Sequence, residues 1–151
     1  MGRLQSRKTG YIGRFDLFHS ADSIKTLASI EKKAPNAVDF LIQVNIGDES
    51  TKAGIGKEHL PKFIGDYLSA GLTKTRLCGI MVIPPPPAVP EDSRQYFREA
   101  RELFLSVKER FGEELPYFSD LSMGMSDDYE VAIEEGATIL RIGRAIFGGR
   151  H

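Results

Sequence analysis

The sequence predicts a single α/β domain built on a parallel sheet. Two near-continuous apolar runs, Val38–Ile46 and Leu77–Ile83, have the make-up of strands buried on both faces. Segments with apolar residues at helical spacing follow them, so strands alternate with helices. At 151 residues the chain is long enough for one domain with a core and too short for two.

In order, Phe15–Ser20 reads as a short strand. Ile24, Leu27, Ala28 and Ile30 then share one side of a helix, with Ser20 or Asp22 as its cap and Pro35 ending it. Val38–Ile46 is the second strand. After the polar loop from Gly47 to Gly56, Leu60, Phe63, Ile64, Tyr67 and Leu68 form an amphipathic stripe that Gly71 stops. Leu77–Ile83 is the third strand, closed by the four prolines Pro84–Pro87. The longest helix carries Tyr96, Phe97, Ala100, Leu103, Phe104, Val107 and Phe111 on one stripe and charged residues opposite. Tyr117–Ser122 is the fourth strand. A short helix follows, opened by Asp127 and Glu130 as a capping box and ended by Gly136. Thr138–Ile142 is the last strand. About five strands result, whereas a closed eight-unit barrel needs roughly 200 residues or more. The alternation by itself allows an open doubly wound sheet or part of a barrel.

Composition narrows the function. Hydrophobic residues make up 41% and charged residues 27%, a globular rather than disordered profile. Lys plus Arg number 20 against 21 Asp plus Glu, a formal net charge of -1. That balance offers no general attraction for nucleic acid or an anionic membrane. Cys78 is the one cysteine, which excludes an intrachain disulfide and a zinc ribbon. No run suits a membrane span, and the start, Met1 to Lys8, lacks the apolar core of a signal peptide. A reducing cytoplasm is the expected compartment.

Two segments carry the chemistry. Leu121–Asp128 sets two hydroxyls and a glycine after a strand and before a helix, where backbone N–H groups and the helix dipole attract an anion. Arg141 to Arg150 follows the last strand, with Gly143 giving a ligand close access to backbone and Arg141 and Arg144 supplying charge. Each segment alone is most simply a capped or glycine-turned connection. Together they stand after the last two strands, where parallel barrels commonly bind phosphate. Elsewhere the bland reading wins. His19 reads as a helix-entry histidine, Cys78 as a small core residue and the prolines as a rigid loop. The Arg3, Arg7, Lys8 and Arg14 cluster, without interleaved aromatics, reads as a solvated face.

These residues also carry a resemblance. Leu121–Asp128, then Glu134 to Thr138 and Arg141 to Gly148, resemble the C-terminal signature of the pyridoxal phosphate homeostasis proteins, single-domain relatives of the alanine racemase N-terminal barrel. Gly2–Ser6, His19–Ser23, Gln43–Ile46, Lys52–Gly54 and Gly79–Pro84 fall in the family's order. The resemblance implies a partial TIM-type (β/α)8 barrel lacking its first strands. Residues 1–151 would form one domain, from a strand-three remnant through strand eight. It implies pyridoxal 5′-phosphate (PLP) as cofactor, with Ser122 and the Met123–Gly124 backbone on its phosphate. Gly143 and the backbone around Arg144 complete that cradle, and Arg141 faces the pyridine nitrogen. Asn45, Met81 and Ser20 would lie at the mouth. The family's Schiff-base lysine belongs to a Val-Ser-Lys-type strand without counterpart here, so no catalytic residue is assigned. The implied function is PLP (vitamin B6) homeostasis, as a cofactor carrier or buffer. The alternatives are a PLP-dependent amino-acid racemase-like fragment or a phosphate-binding interaction module. The expected partners are PLP, phosphate or sulfate, with self-association through exposed barrel edges, and neither nucleic acid nor membrane.

Overall fold

A computed structural model describes residue 4, residues 6–49 and residues 52–148. The Gly2–Ser6 segment and the Arg3 and Arg7 side chains therefore lie largely outside the described residues, as does the end from residue 149 onward. After a 3-10 segment, Ser6–Arg14, come β1 (Leu17–Ala21), α1 (Ile24–Lys33), β2 (Val38–Asn45) and β3 (Ile55–Gly56). Then follow α2 (Leu60–Ser69), β4 (Thr75–Val82), α3 (Arg94–Phe111), β5 (Asp120–Met125), α4 (Tyr129–Glu134), β6 (Ile139–Arg141) and α5 (Arg144–Phe147). Every pairing is parallel, in the order β1-β2-β4-β5-β6, and the two-residue β3 lies off this path against the carboxyl end of β2.

The choice between open sheet and barrel is settled by curvature. In a flat sheet β1 and β5 would stand about 14 Å apart, three spacings of about 4.8 Å. Yet His19 on β1 and Ser122 on β5 are 3.3 Å apart, side chain to side chain. The sheet is coiled into a parallel-strand half-barrel.

Its convex face carries the main core. Phe40, Ile42 and Val44 of β2, Leu77, Ile80 and Val82 of β4, and Leu121 and Met123 of β5 pack under α1, α2 and α3. The alternate residues point to the concave face, where Leu41, Cys78 and Met81 form a second cluster with Leu17, Ile83 and Ile139 against it. Both long apolar runs are thus buried on two faces, as their composition predicts. The centre of the concave face is already closed, with Leu41 and Met81 at 0% exposure. Burial pushes the Cys78 thiol up to about 11, so it is a core residue rather than a nucleophile.

Strands β4 and β5 approach most closely at Gly79. A Cβ there would lie 1.7 Å from the Asp120 carbonyl oxygen, so no other residue fits this register.

The structure moves several boundaries. The fourth predicted strand starts at Asp120 rather than Tyr117 and runs on through Met125. The apolar character of Phe118 reports burial and a stack on Phe104, ring centroids 5.1 Å apart, rather than strand alternation. The first strand begins at Leu17, and Phe15 is exposed. Ser23, not Ser20 or Asp22, is the N-cap position of α1. At α4 the cap position is Asp128, while Asp127 pairs with Arg144 outside the helix, so the predicted capping box does not form. The proline run is, as read, an irregular connection between β4 and the 3-10 turn Pro90–Ser93.

Candidate functional site

Ser122, His19 and Arg141 meet on the concave face. Arg141, on β6, donates from Nη1 to Ser122 Oγ at 2.7 Å and from Nη2 to the Val82 carbonyl at 2.8 Å. Its buried Nε has no partner among the described residues. Burial lowers the guanidinium to about 10, which still leaves it charged at neutral pH. A guanidinium only donates, so the Ser122 oxygen is its acceptor and the Ser122 proton is free for His19 Nδ1, 3.3 Å away. His19 is suited to accept it. Burial first, then the charge of Arg141, holds its pKa below the usual histidine value, against an opposing pull from Asp120. With the His19 proton on Nε2, donation runs from Arg141 to Ser122 to His19.

A cavity of about 320 Å³ opens beside this chain, lined by Ile12, Phe15, Leu17, Phe18, His19, Ser20 and Arg141. Apolar walls with a few polar side chains, here His19, Ser20 and Arg141, are the usual make-up of a small-molecule site.

A second polar cluster links the loops after β5 and β6. Ser126 Oγ accepts from the backbone N–H of Gly143 at 3.3 Å and of Ala145 at 3.2 Å, leaving its own hydroxyl proton to donate outward. A Cβ on Gly143 would meet nothing within 4 Å, so space above that backbone is open. Asp128 fixes the loop from below. It accepts from Met125 N at 2.8 Å through Oδ1 and from the buried Ser93 hydroxyl at 2.8 Å through Oδ2. Arg94 adds ion pairs from the start of α3 to Glu134 and Glu135 on and beside α4.

The sequence-predicted residues divide between these clusters. Ser122 lies inside β5, fully buried, rather than in the loop after the strand, and its hydroxyl is engaged by Arg141 and His19. Met123 points its side chain into the main core, away from the concave face. Gly124 adopts φ 89, and a Cβ there would press to 2.5 Å of the Ala132 methyl, so glycine lets α4 pack against the strand end. Gly143 precedes α5, and Arg144, exposed, pairs with Asp127. Met81 lies in the concave cluster. Asn45 ends β2 and donates to the Glu49 carbonyl at 2.9 Å, which ties down its own loop.

Sequence reasoning passed over three members. His19 reads from the sequence as a helix-entry histidine, because the residue that meets it stands 103 positions away. Ser126 was signalled by the hydroxyl pattern of the same octet but ranked behind Ser122. The Val82 carbonyl, being backbone, has no side-chain signature at all.

Among the described residues no helix is long and apolar enough to cross a membrane. Residues 15–151 match the family described as alanine racemase, N-terminal domain. The chain is similar to the pyridoxal phosphate homeostasis protein of Aquifex aeolicus, 46% identical over 154 residues, covering 99% of this chain and 65% of that protein. It is 38% identical over 157 residues to the protein of the same description from Escherichia coli K12, covering 99% and 63%. It therefore spans just under two-thirds of the length of these relatives. The solved structure of PipY from Synechococcus elongatus PCC7942, with PLP bound, matches with a TM-score of 0.81 at 27% identity, covering 98% of this chain and 68% of that one. With a parallel half-barrel fold and a match over all but its first residues, the chain belongs to the alanine racemase N-terminal domain family.

Proposed function

We propose that this chain holds PLP in a homeostasis role, as a carrier or buffer rather than a catalyst. The observation that carries the reading is the orphaned Nε–H of Arg141, buried beside a mostly apolar cavity. A buried donor without a partner is costly, and an unprotonated ring nitrogen is an acceptor that would relieve it. The residues present thus fit the cofactor. When bound, PLP supplies an electron-withdrawing ring and a reactive aldehyde. Arg141 would hold the ring nitrogen without giving up its proton, which weakens the ring as an electron sink and favours carriage over catalysis. We assign the phosphate to the Ser126 hydroxyl and the backbone at Gly124, Gly143 and Arg144. Ser122 acts through Arg141, and Met81 and Asn45 contribute floor and rim. None of the six described strands carries a lysine, and we assign the holding to hydrogen bonds and charge. The cytoplasm is the compartment that suits a cofactor carrier with a single buried thiol.

An absorbance titration of the 151-residue chain with PLP, followed by borohydride trapping and peptide mapping, tests this reading. Saturable 1:1 binding is expected. Adducts scattered over surface lysines without saturation would overturn it. In the same assay Ser126→Ala should weaken both PLP and inorganic phosphate about fivefold, or ~1 kcal/mol for a hydrogen bond to an anion. Unchanged affinity for both would remove Ser126 from the phosphate site.

The half-barrel also leaves two open edges. Among the described residues β1 pairs along its length only with β2, and β6 only with β5. Exposed Tyr11 and Phe15 flank the first edge, and exposed Ile146 and Phe147 follow the second. We infer self-association through these edges. Sedimentation at low micromolar concentration should show dimers or larger species. A cooperatively folding monomer that does not bind ANS would refute it.

A further inference from the structure

One polar group at the cavity is left without a task by the reading above. His19 lines the cavity from β1, on the side opposite β6. Its Nδ1 faces the Ser122 hydroxyl at 3.3 Å, and no described residue bonds its Nε2. The ring is half-buried, with Arg141 and Asp120 as the charged groups that act on it. Arg141 can only donate, so Ser122 Oγ accepts from it and keeps a proton to give. When His19 Nδ1 takes that proton, the neutral imidazole carries its own on Nε2.

We propose that His19 is a ligand-contacting, specificity-determining residue, whose Nε2–H donates to a ring-attached oxygen of the planar heteroaromatic that Arg141 holds by its ring nitrogen. The inference rests on the PLP reading above. It explains why the cavity presents donors from β1 and β6 beside the apolar walls Phe15 and Leu17: the ligand it fits is flat, apolar on its face and an acceptor at its rim. It also separates two jobs by distance along the sheet. The Ser126 cluster answers to the phosphate, and His19 answers to the ring alone.

The test compares wild type with His19→Phe and His19→Gln by titration with PLP and, separately, with inorganic phosphate. Phenylalanine keeps the ring shape and removes both nitrogens, while glutamine places an amide N–H near the Nε2 position. His19→Phe should lose about tenfold in PLP affinity with phosphate affinity unchanged, and His19→Gln should recover most of the loss. Equal losses for PLP and phosphate, or no loss for either, would overturn the assignment. Nitrogen-15 spectra of the wild-type imidazole give a measurement free of any folding defect. They should show the Nε2–H form in the free chain and a shift of Nε2 on adding PLP but not phosphate. An Nδ1–H form, or no PLP-specific shift, would overturn the proposal. A wild-type chain that binds phosphate but not PLP would instead bring down the reading of the site, and this inference with it.

Discussion

Replacing Arg141 by methionine is expected to cut PLP affinity about a hundredfold while leaving the melting temperature unchanged or higher. The two halves of that result have separate causes. For binding, the variant loses a charged donor to the ring nitrogen, and hydrogen bonds to charged groups contribute roughly 1.5–3 kcal/mol, where each tenfold in affinity is about 1.4. For stability, the native guanidinium is a largely desolvated, half-buried charge that donates only to a hydroxyl and a carbonyl, with its buried Nε left over. Its depressed pKa, about 10, reports the desolvation it bears. Filling the same space with an apolar side chain of similar length removes that penalty, as replacement of buried charges often does. A site residue that costs stability is the signature of binding rather than structure. Titration and a thermal melt on the same preparation check both halves. Loss of stability and affinity together would make Arg141 a structural pin.

Gly79→Ala should cost about 3 kcal/mol or more, the upper range for overpacking a core, and lower the melting temperature by about 10 °C for a chain of this size. The added methyl would sit 1.7 Å from the Asp120 oxygen and 2.6 Å from its carbonyl carbon. Both are backbone of the neighbouring strand, so no side chain can swing aside. Either β4 and β5 separate, breaking the ladder from Gly79–Asp120 to Met81–Ser122, or the variant fails to fold. Separation would also displace Ser122 from Arg141. Gly65→Ala on α2 is the control, since a Cβ there meets nothing within 4 Å. Equal melting temperatures for both variants would show that the strands relax freely.

Much of this was legible in one dimension, for reasons that can be stated. Val38–Ile46 and Leu77–Ile83 are apolar at consecutive positions, and only a strand covered on both faces needs that. The stripe from Tyr96 to Phe111 repeats at helical spacing because a helix buries one side. Strand and helix identity is local, and the pattern recorded it. The boundaries near Tyr117 and Phe15 differ because an aromatic in a turn, buried like Phe118 or exposed like Phe15, reads like one in a strand. Phe118 is held by Phe104, which sequence spacing does not reveal.

The site divides along the same line. The octet Leu121–Asp128 and the Arg141–Gly148 segment carried enough local pattern to mark the loops, the charge and the family. What those residues do to one another was decided in three dimensions. Coiling of the sheet brings β1 against β5, which turns Ser122 from an expected loop hydroxyl into the link between Arg141 and His19. Strand alternation sends Met123 into the core while its neighbour Ser122 meets Arg141 and His19 on the other face. The physical reason is range. Propensity and periodicity act over a few residues and are written in the chain, whereas curvature, desolvation of Arg141 and the Ser122–His19 contact depend on residues 19 to 103 positions apart, which meet only once the sheet has coiled.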